Sequence, residues 1–247
     1  MGDILKAMVP IFAVPTNYNE VLKRLAGFLF YDTLIGTFLL RGIPDIDTFF
    51  HKIETHGAIG EALSTIPNYS KINLSGFAIA LLVAGIGYWL QLHDRISDLF
   101  AIRCRFDESS ILLPLAVMTG AKLSPTQLNA LRINRNTIMQ AVFYRYASSR
   151  ADKPLVDKHN IEHALGAWSW YWAFLEAITV FSICGIIALY FWDLPLVSGF
   201  LVISAILWLL AMLQFRRLER YARPQVEAIA TNAEAAAEVR TYLCKLG

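Results

Sequence analysis

Two histidines and a glutamate in the second half of the chain have the spacing of a metal site. His159, Glu162 and His163 match the H-x-x-E-H pattern of inverted zinc peptidases. Because residues four apart lie on one face of a helix, the two imidazoles could bind one zinc ion. No third ligand accompanies them, and the alternative is a polar helix turn next to lipid headgroups. A membrane metallohydrolase is therefore one hypothesis, although we expect no enzyme activity because no complete catalytic site is evident. A weaker metal candidate is the group His51, Glu54 and His56.

Two carboxylates lie inside otherwise apolar stretches. Asp32 is near the middle of residues 25–40, and Glu176 is in the first half of residues 167–192. A carboxylate inside a membrane-spanning helix costs about 2.5–3.5 kcal/mol on insertion scales, so it should face protein or water, or be protonated. Such a pair could line a cation path, which makes an ion channel or transporter subunit a second hypothesis. Alternatively, Asp32 lies in a helix that does not span, and Glu176 hydrogen-bonds a neighbouring helix near the interface.

Five arginines are spread over the polar central region. They are Arg103, Arg105, Arg132, Arg135 and Arg145. Guanidinium groups form paired hydrogen bonds with phosphate, so these residues could bind a nucleotide signal, a lipid headgroup or a protein partner. The alternative is that they form ion pairs with Asp98, Asp107 and Glu108 and reflect the usual excess of cations on the inner side of a membrane.

A second set of arginines directly follows the last apolar stretch, residues 195–215. They are Arg216, Arg217, Arg220 and Arg223. Anionic lipids attract each such cation by about 1 kcal/mol, so we expect this set to bind lipid headgroups.

The composition favours a membrane protein over a soluble one. Of the 247 residues, 56% are hydrophobic and only 17% are charged, and the mean hydropathy is +0.46. An average soluble domain has about 25% charged residues. The net charge of +2 provides no broad basic surface, so direct nucleic-acid binding is not indicated. Phosphate-binding and dinucleotide-binding patterns are missing from the sequence, and we expect no cofactor.

Four stretches are candidates for membrane spans. Residues 167–192 and 195–215 are each long enough to cross about 30 Å of hydrocarbon, and the Asp-Leu-Pro sequence between them predicts a tight turn and an antiparallel hairpin. Residues 74–92 carry no charge and contain glycines that permit close helix packing. Residues 25–40 form the weakest candidate, because they are short and contain Asp32.

The distribution of lysine and arginine predicts the orientation. Segments 1–24, 93–166 and 216–247 carry 19 of the 22 basic residues, whereas segment 41–73 carries three. Basic segments stay on the cytoplasmic side of a membrane. We therefore expect a multi-pass protein of the inner (plasma) membrane with four spans, both termini in the cytoplasm, and residues 41–73 as an outer loop.

Segments 93–166 and 216–247 have helical patterns, so the expected fold is all-α with a helical cytoplasmic module. Ser124 followed by Pro125 and Gln127 predicts a helix start with a capping box, and the helix should run to about Ala147. We also expect the helix of residues 74–92 to continue into the cytoplasm as far as Phe106, and a second helix to begin after Asp107. A C-terminal helix should begin at Pro224 and carry a narrow apolar stripe. The residues of this stripe are Val226, Ile229, Ala233, Ala236 and Leu243.

The predicted spans lie on both sides of a helical cytoplasmic module in the sequence, and basic residues follow the last span. This layout resembles small multi-span effectors and sensors of bacterial anti-phage defence systems. The resemblance implies that a cytoplasmic partner or nucleotide signal triggers permeabilisation, or that the protein senses membrane injury and recruits a partner. We therefore expect a homo-oligomeric membrane sensor or effector that contacts lipid and a cytoplasmic protein partner.

Overall fold

The computed structural model describes residues 14–55, 74–148 and 153–246. These residues form helices and no strand, which confirms the all-α prediction. In chain order the helices are α1 (Tyr18–Leu40), α2 (Pro44–Thr55), α3 (Leu74–Trp89), α4 (Leu92–Leu99), α5 (Ile102–Phe106), the π-helix π1 (Asp107–Leu112), α6 (Leu113–Met118), α7 (Pro125–Ile133), α8 (Arg135–Met139), the π-helix π2 (Gln140–Tyr144), α9 (Lys158–Tyr190), α10 (Leu194–Thr231) and α11 (Ala233–Cys244).

The chain forms two compact units. The described part of the first unit lies within Leu22–Leu92 and Trp170–Met212. The described part of the second lies within Val14–Val21, His93–Ser169 and Leu213–Gly247. Most of the apolar stretches therefore belong to the first unit, and the arginine-bearing helices belong to the second.

Two to four helices of the described residues are compatible with membrane insertion. α9 and α10 are each long and apolar enough to cross a membrane. The pairs α1–α2 and α3–α4 meet the same criterion only when each is taken as one broken span, with bends of 113° and 63°. Large apolar side chains lie on the outside of α10, which is the arrangement that a lipid-facing helix requires. They include Leu201, Val202, Ile206, Trp208, Leu209 and Leu213.

Within the first unit, α1 and α9 pack side by side and run in the same direction. The rings of Phe28 and Trp170 are 5.0 Å apart between centroids. Farther along both helices, Gly36 lies against Cys184. Parallel helices that both cross a membrane must enter it from the same side. The four-span orientation, which requires α1 and α9 to enter the membrane from the same side, stays a prediction.

The predicted tight turn between the last two spans is confirmed. Trp192 has a left-handed backbone (φ 57°) that ends α9. The Asp193 backbone N–H donates to the Ala188 carbonyl at 3.1 Å, and the Asp193 carboxylate accepts from the Leu196 N–H at 3.1 Å. Asp193 thus caps the first turn of α10, where the backbone N–H groups have no partner within the helix.

The expectation of one helix from residue 74 to Phe106 is wrong. The chain has left-handed backbone at Gln91 (φ 49°) and at Ala101 (φ 52°), and a right-handed helix cannot continue through such residues. α3 therefore ends at Trp89, three residues before the predicted end of the span.

The capping box at the start of α7 is confirmed, but the helix is not continuous to Ala147. The Ser124 hydroxyl accepts from the Gln127 N–H, and the Gln127 side chain accepts from the Ser124 N–H. α7 ends at Ile133 and is capped by Asn134, and the segment continues as α8 and π2. π-helices are rare in proteins, and those that do occur are often found at functional sites. The presence of π1 and π2 therefore makes the second unit a candidate for the functional site.

The C-terminal helix does not begin at Pro224. α10 continues through Pro224 to Thr231, and the Asn232 side chain caps α11 by accepting from the Ala235 N–H at 3.0 Å. Gln225 and Val226, the two residues after the proline, are both buried, and this burial offsets the hydrogen bond that the proline cannot donate.

The break at Asn232 also changes the apolar stripe. Val226, Ile229 and Leu243 are buried as predicted, whereas Ala233 is exposed and Ala236 is half-buried. The other buried positions of α11 are Ala235 and Val239. A cap inside the predicted helix shifts which residues face inward, because the two helices no longer share one helical phase.

Candidate ligand-binding site

The second unit contains a cavity of about 520 Å³. Sites for small molecules usually measure about 300–1,000 Å³ and are mostly apolar with a few polar groups. The polar lining residues are Asn17, Tyr18, Asn19, Asp94, Arg103, Asp107, Gln140, Tyr144, Ser148 and Gln225. The apolar lining residues are Phe106, Ile111, Phe143, Ala147, Ile161, Ala164, Leu165, Trp168, Leu218 and Ala222.

Both π-helices contribute to this lining. π1 supplies Asp107 and Ile111, and π2 supplies Gln140, Phe143 and Tyr144. The start of α9 and the second half of α10 supply most of the apolar residues. The cavity therefore combines segments that are far apart in the sequence.

One end of the polar wall is a hydrogen-bonded cluster around Asp94. The Tyr18 hydroxyl donates to the two Asp94 carboxylate oxygens at distances of 3.2 and 3.1 Å, and lies 2.8 Å from Nε2 of His93. Nη1 of Arg103 is 3.6 Å from an Asp94 oxygen. The cluster brings together His93 and Asp94, which are adjacent in the sequence, with Tyr18 from the start of α1 and Arg103 from α5.

The other end of the polar wall is built around Arg103. Its Nη2 donates to the Tyr144 hydroxyl at 3.4 Å, and its Nε lies 4.0 Å from an Asp107 oxygen. Asp107 is held more closely by Arg135, which donates to the same oxygen. The Arg103 backbone N–H donates to the Ser97 hydroxyl at 3.2 Å, and this bond fixes the start of α5.

Burial changes the acid–base properties of this wall. It raises the pKa of the Asp107 carboxyl, and the nearby Arg103 and Arg135 oppose that change only in part. It also raises the pKa of Tyr144. Burial alone would lower the pKa of Arg103, but Tyr144 and Asp107 raise it above its usual range. Arg103 therefore stays positively charged, and the Tyr144 hydroxyl keeps its proton.

Most of the central arginines form ion pairs. Arg132 binds the Glu108 carboxylate through two nitrogens at 2.7–3.0 Å, and Arg145 lies 3.1 Å from a Glu238 oxygen. Asp107 and Glu108 thus act as the predicted partners. Asp98 is exposed and forms no ion pair with the described residues, and the side chain of Arg105 is also exposed without an ion pair there. Only Arg103 of the five arginines lines the cavity.

The four arginines after the last apolar stretch lie on one exposed part of α10. Arg216, Arg217, Arg220 and Arg223 are all exposed. Arg223 forms an ion pair with Glu227 at 2.8 Å, and Arg217 lies 3.5 Å from the Gln214 side chain. Their exposure is consistent with headgroup binding, which stays a prediction.

The two histidines of the H-x-x-E-H pattern contact each other. Nε2 of His159 and Nε2 of His163 are 2.9 Å apart, and the His163 ring stacks on Tyr221. Glu162 lies 3.6 Å from Lys158. Within residues 14–55, 74–148 and 153–246, no group of three or more His, Cys, Asp or Glu could hold a metal ion. The metallohydrolase therefore stays a hypothesis, with no third ligand among these residues.

In the weaker metal candidate, Glu54 is already engaged by other side chains. The Glu54 carboxylate accepts from Arg41 at 2.7 Å and from the Ser75 hydroxyl at 2.6 Å, which ties α2 to the ends of α1 and α3. His51 is exposed, and His56 lies outside the described residues.

The structure brings Asp32 and Glu176 together in the first unit. They lie on the facing helices α1 and α9, and are close enough to interact electrostatically. Glu176 is 3% exposed, and its Oε2 has no hydrogen-bond partner among the described residues. A cation path lined by this pair stays a prediction.

Several cavity residues could not be identified as site residues from the sequence. Tyr18 and Asp94 are 76 positions apart and meet only in the fold. Tyr144 and Trp168 belong to apolar patterns that also describe an ordinary core. The π-helices could not be predicted from the sequence either, because no residue pattern distinguishes them from the α-helices that they interrupt.

Comparison with known proteins identifies relatives of this chain. No solved structure matches it. The sequence is 30% identical over 186 residues to the uncharacterized protein YmfE of Escherichia coli strain K12, covering 72% of this chain and 70% of that protein. The model of the YmfE protein family matches residues 17–245, which include every described helix and the whole cavity. The chain therefore belongs to the YmfE protein family.

Proposed function

We propose that this protein is a multi-pass sensor or effector of the cell inner membrane, with both termini in the cytoplasm. The first unit is embedded in lipid, and the second unit binds a signal on the cytoplasmic side. The outward-facing apolar side chains of α9 and α10 and the exposed arginines of α10 support this placement.

The observation that carries the proposal is the cavity of the second unit. It has the volume of a small-molecule site, and its lining includes the hydrogen-bonded groups of Tyr18, Asp94, Arg103 and Tyr144. A mostly apolar lining with a few polar groups is typical of a small-molecule site. A role in binding explains why the space is present.

We further propose that the protein is a homo-oligomer and that it transmits ligand binding to a cytoplasmic protein partner. The resemblance in layout to anti-phage effectors makes membrane depolarisation the expected output. Arg103 is the residue on which this output should depend, because it is the charged group of α5 that lines the cavity.

The experiment compares wild type with Arg103→Gln and Arg105→Gln in cells that report membrane potential with a fluorescent dye. Arg105 is a matched control, because it lies two residues away on the same helix and is exposed. Light scattering on detergent-extracted protein measures the assembly. We expect a discrete multimer for all three proteins, and depolarisation on overexpression that Arg103→Gln abolishes and Arg105→Gln retains. A monodisperse monomer without depolarisation contradicts the proposal.

A cation path through the first unit is a second candidate function. The observation in its favour is the approach of Asp32 to the buried Glu176. Asp32→Asn should then change cation flux in proteoliposomes without changing the assembly, whereas Asp45→Asn, at an exposed carboxylate of α2, should not change the flux. Unchanged conductance in Asp32→Asn contradicts this function.

A further inference from the structure

The Arg103 guanidinium has more donors than the second unit satisfies. An arginine side chain carries five N–H donors. Around Arg103 the described residues provide one acceptor, the Tyr144 hydroxyl at 3.4 Å, and two carboxylates at 3.6 and 4.0 Å. Bonds from arginine to a carboxylate are usually about 2.7–2.9 Å long. Arg103 can therefore donate shorter hydrogen bonds to a further acceptor than those it donates to the described residues.

The neighbouring carboxylates are already engaged by other groups. Asp107 is contacted more closely by Arg135, and Asp94 accepts the hydroxyl of Tyr18. The Tyr144 hydroxyl accepts from Arg103 and donates to no residue of the described chain. Arg103 and Tyr144 thus present a guanidinium and a hydroxyl to the same space.

Part of the cavity lining is apolar. Leu165 and Trp168 of α9 and Leu218 and Ala222 of α10 belong to this part. Trp168 lies against Phe106, with ring centroids 5.3 Å apart. A ligand that fills this space must cover the apolar wall with an apolar body, because apolar surface is the larger part of what it meets.

We propose that the cavity binds an amphipathic anion, whose carboxylate pairs with Arg103 and Tyr144 and whose apolar body lies on Trp168, Leu165 and Leu218. Arginine matches a carboxylate in planar, paired geometry, and the apolar wall provides most of the contact area. This inference rests on the proposed function, and it specifies the class of signal that the second unit takes.

The test uses 2-naphthoate, neutral 2-naphthamide and cationic 2-(aminomethyl)naphthalene as probes of the full chain in lipid nanodiscs. The three share one aromatic body and differ in charge. Titration calorimetry measures each affinity, and empty nanodiscs correct for partition into lipid. We expect the naphthoate to bind about tenfold more tightly than the amide, since a charge-assisted bond contributes roughly that factor. We expect the amine to bind most weakly.

Arg103→Gln should remove the preference for naphthoate over naphthamide, and Arg105→Gln should retain it. Ala222→Leu adds a larger side chain to the apolar lining and should weaken the binding of all three probes. Ala237→Leu, on the exposed side of α11, should weaken the binding of none. The unfolding midpoint of each variant shows whether it is folded. Even if Arg103→Gln fails to fold, equal binding of the three probes by wild type, or a preference for the amine, overturns the inference.

The two proposals fail in distinguishable ways. If wild type does not prefer naphthoate but depolarisation still depends on Arg103, the ligand class is wrong and the proposed function stands. If naphthoate binds selectively through Arg103 but no multimer or depolarisation is found, the sensor or effector role is wrong and the anion site stands.

Discussion

Glu238 of α11 accepts hydrogen bonds from two residues that follow π2 and forms an ion pair with a third. The Tyr146 hydroxyl donates to it at 2.6 Å, Lys153 at 2.8 Å, and Arg145 lies at 3.1 Å. The bonds from Lys153 and Tyr146 lower the pKa of Glu238 to about 2. Burial and the neighbouring carboxylate raise the pKa of Tyr146 to about 12. One carboxylate thus connects α11 to Arg145, Tyr146 and Lys153.

The lowered pKa predicts a specific pH dependence. An unfolded glutamate titrates near pH 4.3, roughly, so the stabilisation by Glu238 is fully present above that pH and is lost as the pH falls towards 2. We expect the unfolding midpoint of wild type to exceed that of Glu238→Gln at pH 6, and the difference to shrink as the pH falls from about 4 to about 2. Thermal unfolding of purified protein measures both.

The control for this prediction is Glu234→Gln. Glu234 contacts Lys153 at 2.8 Å, but its side chain is 74% exposed, so this pair is weak. A difference between wild type and Glu238→Gln that does not change with pH would contradict the assignment.

At the scale of helices, α1 and α9 approach closely because Gly36 has no side chain. A Cβ at this position would lie 2.7 Å from Sγ of Cys184 and 3.6 Å from Val180. The glycine is therefore required by the contact with the facing helix. Gly85 of α3 differs, because a Cβ there would meet nothing within 4 Å.

Gly36→Ala should separate the two helices and destabilise the protein by about 1–3 kcal/mol, the usual cost of overpacking. Cys184→Ala removes the sulfur atom, so the double variant Gly36→Ala/Cys184→Ala should recover much of this loss. Chemical unfolding in detergent measures the three free energies. Gly85→Ala serves as the control and should change stability little. A double variant no more stable than Gly36→Ala would show that Cys184 is not the obstacle.

For the whole molecule, the distribution of basic residues and the parallel packing of α1 and α9 point to the same orientation. Reporter fusions at residues 1 and 247 should both show a cytoplasmic location, and a reporter inserted within the outer loop, residues 41–73, should show the opposite side. Replacing Arg216, Arg217, Arg220 and Arg223 by glutamine should weaken this asymmetry, since basic residues near a span set its orientation. Termini on opposite sides would exclude four spans.

Much of the fold could be predicted because the relevant information lies within a few residues. The apolar stretches predict the long helices, the Ser124–Gln127 pair predicts the start of α7, and Asp193 predicts the turn between α9 and α10. The breaks at Gln91 and Ala101 could not be predicted, because neither residue favours left-handed backbone. Pro224 was misleading for the opposite reason, since burial of the residues after it outweighs its local preference.

By itself, the sequence determined the all-α class, the apolar helices and the excess of basic residues on three segments, because these follow from composition and periodicity along the chain. The tertiary structure alone decided which carboxylate each arginine meets, that Asp32 faces Glu176, and that Arg103 lines a cavity with Tyr144 and Trp168. Those contacts join residues many positions apart, and a pairing between distant residues depends on how the helices pack and on which side of each helix turns inward.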